Sequence, residues 1–263
     1  MRSFFKNYLY GACFAVRNAL DPFLHFQEVS VLAYHSLSVS LAETAILPEI
    51  FEEHVRYLRK HGVAFVTLEQ VVAWRRGTGK LPKKATAITF DDGYADFETA
   101  ALPLLEKYKI PVTLFMVGSP DESRPALAND VPLLSFEAFE RVSAHPLVTL
   151  AYHSRSHANL AKIGAKPKTG KEELAEEVRP LFPAKYFAFP GGNYSKAAIA
   201  AVHDAGYDAG FSIKPTLVSR HTARYLFPRS VIMRSMTPAQ VYLRTTMALA
   251  WYRKLTRPIG FYS

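Results

Sequence analysis

"ITFDDGYADF", residues 88–97, is a strand-like run that ends in two adjacent carboxylates and a glycine. Like charges this close resist joint ionisation unless a cation or a shared proton lies between them. Asp91 and Asp92 therefore either point into water or face something positive. Gly93 fits the second course, because a residue without a Cβ lets the backbone turn tightly beside a ligand.

On either side of this run the chain alternates between short apolar runs and amphipathic ones. "VSVLAY" (29–34), "AFVT" (64–67), "ATAITF" (85–90), "PVTLFMV" (111–117), "LVTLA" (147–151), "KYFAF" (185–189), "AGFSI" (209–213) and "PRSVIM" (228–233) read as strands. Phe97, Ala101, Leu104, Leu105 and Tyr108 form one helical stripe. Ser135 caps a helix carrying Phe136, Phe139 and Val142, and Ser195 caps another that stops at Gly206. Repeated β–α units with short joins predict a parallel sheet, and seven or eight of them predict a closed or partly closed barrel.

A barrel places its active residues just past the strand C-termini. Asp91 and Asp92 follow the third strand. His153, in "AYHSRSHANL", follows the fifth, and His157 comes four residues later. If that loop turns helical, the two imidazoles share a face. One carboxylate plus two imidazoles makes a metal triad with open positions. It suits zinc and admits other divalent first-row ions, with cobalt, nickel and manganese the alternatives.

"TFDDGY" (89–94), "HSRSH" (153–157) and "FAFPGGNYS" (187–195) resemble three successive motifs of the polysaccharide deacetylase (NodB-like) family. "VLAYHSL" (31–37), "FEEHVRYLRKHGV" (51–63), "PLLEKYKIPVTLFMVG" (103–118) and "AIAAVHDAGYDAGFSI" (198–213) resemble its segments in the same order. The resemblance spans about residues 29–235. It implies an α/β fold, a distorted (β/α) barrel of seven or eight parallel strands. It also implies a metal-dependent hydrolase that removes an N-acyl group, first of all acetyl, from a sugar. By the same resemblance Asp92, His153 and His157 hold the metal. Asp91 is the base for the metal-activated water, and Gly191 N–H, in the Pro190–Gly191–Gly192 turn, serves the oxyanion. The chain departs from the family pattern in places. Ala188 replaces an arginine common in the third motif, as in the "FAYPYG" branch, which also lacks it, and Gly191 replaces an aromatic. The late L-x-x-H motif that carries the general acid in many members is missing. That leaves His35, after the first strand, and His221, after the seventh, as candidates. His54, His145 and His203 read as structural. Alternatives of other kinds are a deformylase of a lipid-carried amino sugar and a saccharide-binding pseudoenzyme.

The 263-residue chain carries a net charge of +9. Residues 1–20 hold three basic side chains and no acid, and residues 209–263 hold nine and no acid, so the middle is slightly acidic. Phe4, Phe5, Tyr8, Leu9, Ala12, Val16, Ala19 and Leu20 recur at helical spacing, which fits an interfacial amphipathic helix over 1–28. Thr237 and Pro238 open a second basic, aromatic helix within 236–263, running through Trp251 and Tyr252. These ends frame a catalytic unit over 29–235. They predict contact with an anionic membrane surface, a cytoplasmic or inner-face location, and a carbohydrate substrate that could be lipid-linked. No nucleic-acid motif accompanies the charge. The single cysteine, Cys13, excludes an intrachain disulfide.

Overall fold

The computed structural model describes residues 27–120, 127 and 130–248, together with positions 12, 15, 16 and 19, which are helical. The fold grows from two long strands. β1 (Glu28–Tyr34) and β3 (Lys84–Asp92) pair in parallel from Glu28 opposite Lys84 to Tyr34 opposite Phe90. Both are buried along nearly their whole length, as strands covered on both faces must be. Alternate residues divide between two cores. Val29, Val31, Ala85 and Ala87 face the barrel interior with Phe115, Phe211 and Phe227. Leu32, Tyr34, Ile88 and Phe90 face outward.

The other strands extend this pair. β2 (Ala64–Phe65) flanks the start of β3. β4 (Val112–Met116), β5 (Val148–Tyr152), β6 (Tyr186–Ala188) and β7 (Ala209–Phe211) follow in register, all parallel. β8 (Ser230–Val231) pairs with β1 on its free side, giving the order β7-β6-β5-β4-β3-β1-β8. The sheet curls until its edges meet through Phe227, which bridges Phe211 of β7 just before the chain enters β8.

The helices sit where the sequence places their caps. α1 (Pro48–Lys60) starts with proline and buries Phe51, Val55 and Leu58 on the outer core. α2 (Leu68–Arg76) opens with a Thr67–Gln70 capping box. It turns Leu68, Val71 and Trp74 onto the interior cluster, so it floors the barrel at the strand N-termini. A π-turn at Phe97–Ala101 leads into α3 (Leu102–Lys107), which buries Leu102 and Leu105. α4 (Phe136–Ser143), α5 (Leu160–Gly164), α6 (Gly170–Val178) and α7 (Lys196–Asp204) follow. Ser135 and Ser195 cap α4 and α7 through the Ala138 and Ala198 N–H groups.

α8 (Pro238–Arg244) begins with a Thr237–Gln240 capping box and buries Val241, Tyr242 and Leu243. Tyr242 lies 4.7 Å from the His61 ring and 6.2 Å from that of Tyr57, so α8 covers α1. The Met247 N–H then donates to Glu28 Oε1 at 2.9 Å, beside the start of β1. Trp251, Tyr252 and the basic residues beyond them, and most of the N-terminal amphipathic pattern, lie outside the described residues. Among those described, no helix is long and apolar enough to cross a membrane.

Candidate metal centre

β3 delivers both acids to the C-terminal mouth of the barrel. Asp91 and Asp92 are its last residues and are buried, at 2% and 5% exposure. Asp92 takes a left-handed φ of 76°, and Gly93 follows at 79°. That left-handed φ favours glycine, and a Cβ on Gly93 would also crowd the Met116 side chain of β4, 2.4 Å from its Sδ. The next parallel pair, β4 and β5, ends beside it and leads into His153.

His153 Nδ1 lies 2.8 Å from the Ala188 carbonyl of β6. A carbonyl only accepts, so Nδ1 carries the proton and the Nε2 lone pair faces the cluster. His153 Nε2 and His157 Nε2 lie 3.6 and 3.5 Å from Asp92 Oδ1. Zinc ligands 2.0–2.1 Å from a tetrahedral ion stand about 3.3 Å apart, so the two separations from Asp92 are near that spacing, and all three ligand atoms lie within 4.8 Å of one another. Asp92 Oδ1 is buried and has no hydrogen-bond partner. An ionised oxygen left that way is costly, and a cation satisfies it. The donor set, the tautomer and the orphaned oxygen all fit a divalent metal, with Asp92, His153 and His157 as its ligands.

Asp91 lives differently. Arg229, fully buried on the segment leading into β8, donates Nη1 to Asp91 Oδ1 at 2.6 Å and Nη2 to Oδ2 at 2.8 Å. The guanidinium also reaches Thr89 Oγ1 and the Ser212 carbonyl, and lies 4.8 Å from the centre of the Phe115 ring. Burial pushes the Asp91 pKa up, but Arg229, aided by His153, overcomes it and holds the carboxyl at about 2. At Asp92 burial wins, reinforced by the Asp91 charge, and raises the pKa to about 6 even though His35 pulls the other way. His153 is driven down to about 3, chiefly by burial, and His157 is lowered by the same cause. So the neighbouring acids have different counter-charges: Arg229 serves Asp91, and Asp92 is left for a cation.

The sequence profile of the polysaccharide deacetylase family matches residues 78–210. The chain belongs to the polysaccharide deacetylase family. A curated relative, the poly-β-1,6-N-acetyl-D-glucosamine N-deacetylase of Staphylococcus aureus (strain MRSA252), is 25% identical over 228 residues, covering 82% of this chain and 74% of its own. The structure of IcaB from Ammonifex degensii superposes with a TM-score of 0.72 at 24% identity, covering 84% of this chain and 99% of that one. The Streptococcus pyogenes deacetylase PplD, solved with acetate, gives a TM-score of 0.68 at 19% identity, covering 83% and 98%. These likenesses establish the NodB-type fold, here a curled parallel half-barrel.

Within this deacetylase fold the remaining predicted residues separate. His35 follows β1 at the mouth, close enough to lower the Asp92 pKa, and its Nδ1 is buried without a partner. His221 is not at the mouth. The chain must return from the C-terminal end of β7 to the opposite pole before it enters β8, and His221 lies on that return. Val218 bridges Val29 there, and Arg220 stacks 4.5 Å from the Trp74 ring on the barrel floor. Residues 153–157 are not helical either: Ser154 and His157 have left-handed φ of 67° and 57°. Pro190–Gly192 forms a 3-10 turn after β6, with Gly191 at φ 57°. The Gly191 N–H has no acceptor among the described residues, whereas those of Gly192 and Asn193 are bonded to Phe189 and Pro190 carbonyls. Arg229 is the residue that sequence reasoning missed. By position it belongs to the basic C-terminal end, yet it is an internal counter-ion. The one available signal was an arginine inside the strand-like run "PRSVIM".

Proposed function

We propose that the protein is a metal-dependent N-deacetylase acting on an N-acetylated sugar polymer. The observation that carries this reading is the split acid pair: Asp92 grouped with His153 and His157, beside an Asp91 held ionised by Arg229. A divalent ion bound by the triad would polarise the acetyl carbonyl and acidify a water.

The chain's own residues do the rest. Asp91 accepts the proton of the attacking water. Its bidentate pair with Arg229 leaves lone pairs free, since a carboxylate offers about four acceptor sites. That pair also makes Asp91 a weak base, so the proton must come from a water already acidified. Asp91 and the metal ligands therefore depend on each other. The Gly191 N–H donates to the oxygen that becomes negative as water attacks. His35 protonates the departing sugar nitrogen, so the C–N bond breaks to a free amine and acetate. Tyr194, 40% exposed beside Phe189 and past the 190–192 turn, supplies the aromatic surface that Gly191 lacks.

Incubation of the purified protein with an N-acetylglucosamine oligomer tests this. Acetate release should require added zinc, cobalt, nickel or manganese and cease with a chelator. No acetate with any of these ions would overturn the reading.

A further inference from the structure

The three metal-ligating side chains are not equally supported. Asp92 ends a nine-residue strand, and the Ala188 carbonyl orients the His153 ring. His157 lies beyond the strand end, in a loop that turns left-handed at both Ser154 and His157. Its side chain is 31% exposed against 2% for His153. Among the described residues its ring has no hydrogen-bond partner; it meets Asp92 Oδ1 at 3.5 Å and the His153 ring edge-on at 5.1 Å. Two left-handed non-glycine residues in one short loop persist only when the surroundings hold them there.

The Gly118 N–H donates to the Ser154 carbonyl at 2.9 Å, and the loop's other anchor is Glu177, in the last turn of α6. Its carboxylate accepts the Ser156 N–H at Oε2 (3.0 Å) and the Ser156 hydroxyl at Oε1 (2.5 Å). Its main-chain carbonyl accepts the Arg155 N–H at 2.9 Å. One residue thus makes three bonds to the two residues that precede His157. Of the neighbouring acids of α6, Glu173 is engaged elsewhere, with Lys166 and Thr169, while Glu176 adds an exposed side-chain pair to Arg155 at 3.4 Å and another to Arg179. We propose that Glu177 is a positioning residue, a latch that fixes the 153–157 loop so that His157 meets Asp92 and His153 in a pre-formed metal site. The proposal rests on the reading of those three residues as metal ligands. It adds a second layer to the site, and partners at that remove typically set metal affinity within 10–100-fold.

The test is a zinc titration against a chromophoric chelator, on the full chain with wild type, Glu177→Ala, Glu177→Gln, Ser156→Ala and the Ser156→Ala/Glu177→Ala double variant, with His157→Ala as reference. Glu177→Ala should weaken zinc binding roughly 10–100-fold, Glu177→Gln should fall between, and the double variant should match Glu177→Ala. Saturating zinc should restore the kcat of Glu177→Ala, and its metal-free thermal midpoint should stay close to wild type. Zinc affinity within twofold of wild type in both Glu177 variants, alongside loss in His157→Ala, would overturn the latch alone. A drop in the metal-free midpoint that accounts for the whole affinity loss would also overturn it, showing a merely structural role. Unchanged zinc binding in His157→Ala would instead remove the metal reading beneath it.

Discussion

The two ends of the barrel use left-handed backbone for different purposes. At the floor, Gly62, Gly77 and Gly206 are left-handed, and each ends a helix or its following turn. Lys109 sits in the turn before β4. These are stop signals, and the polar groups around them are bonded: Arg75 to the Thr222 carbonyl, Trp74 Nε1 to Gln27 Oε1. At the mouth, Asp92, Ser154 and His157 are left-handed and end no helix. His35 Nδ1, Asp92 Oδ1 and Ser154 Oγ are buried there without partners. Among the described residues, left-handed non-glycine backbone and these buried polar atoms without partners coincide at the mouth. The contrast separates backbone geometry that terminates an element from geometry that is held for a ligand.

The strongest way to break that contrast is to remove the ligand set. His153→Ala should lose zinc binding and reduce kcat/KM by roughly 10³-fold or more, since the metal's contribution is several kcal/mol. Acetate release read together with metal content checks it, and near-normal values of both would erase the distinction between mouth and floor. Next in size is Arg229→Met. It leaves Asp91 as a buried, unpaired charge, which costs about 3–5 kcal/mol of stability. Urea unfolding of the metal-free protein measures this, and a change below about 1 kcal/mol would deny Arg229 its role.

Acidity sharpens the same comparison. The Asp91 pKa is depressed to about 2 in the folded protein. Its ion pair therefore stabilises fully above the ordinary carboxylate pKa and is lost as pH falls toward 2. In Arg229→Met, burial loses its main opponent, with only His153 and His35 still pulling down, and the Asp91 pKa rises. Wild type and variant, both metal-free, should thus differ most near neutrality, and the gap should close as pH falls through about 4. A gap that stays constant with pH would contradict the pair. The smallest effect belongs to the floor. Arg220→Ala removes a cation–π contact with Trp74, at about 1 kcal/mol or less, and should leave kcat/KM unchanged. A loss of activity there would mean that the floor takes part in the chemistry.

Much of this was legible along the chain because it is local. Runs ending in "FDDG" and "AYHS" announce strand ends, and Thr237, Ser135 and Ser195 announce helix starts within three residues of their partners. β3 and β5 therefore fell where periodicity put them, within about two residues. The Asp91–Arg229 pair was not legible. It joins residues 138 apart, through closure of the curled sheet by Phe227 and β8. No spacing encodes such a meeting. His221 failed for a related reason. A loop that leaves one end of a barrel and must re-enter at the other exposes residues at both, and sequence order does not say which. The H-x-x-x-H spacing picked out two imidazoles that do gather with Asp92, but through a different conformation from the helical one. Left-handed turns at Ser154 and His157 bring the imidazoles together, and single residues other than glycine and asparagine give little warning of such turns.

The floor made by α2 has a further consequence. With Val66, Leu68, Val71 and Trp74 packed against Val29, Val31 and Phe227, the barrel is a blind cup and not a tube. On the proposed function, a polymer would not thread through it. It would lie across the rim and dip one sugar at a time, so units in the middle of a chain would be as reachable as those at its ends. Incoming and outgoing sugars would also share one doorway. An amine-bearing product that lingers there blocks the next acetylated unit, which would appear kinetically as competition between product and substrate.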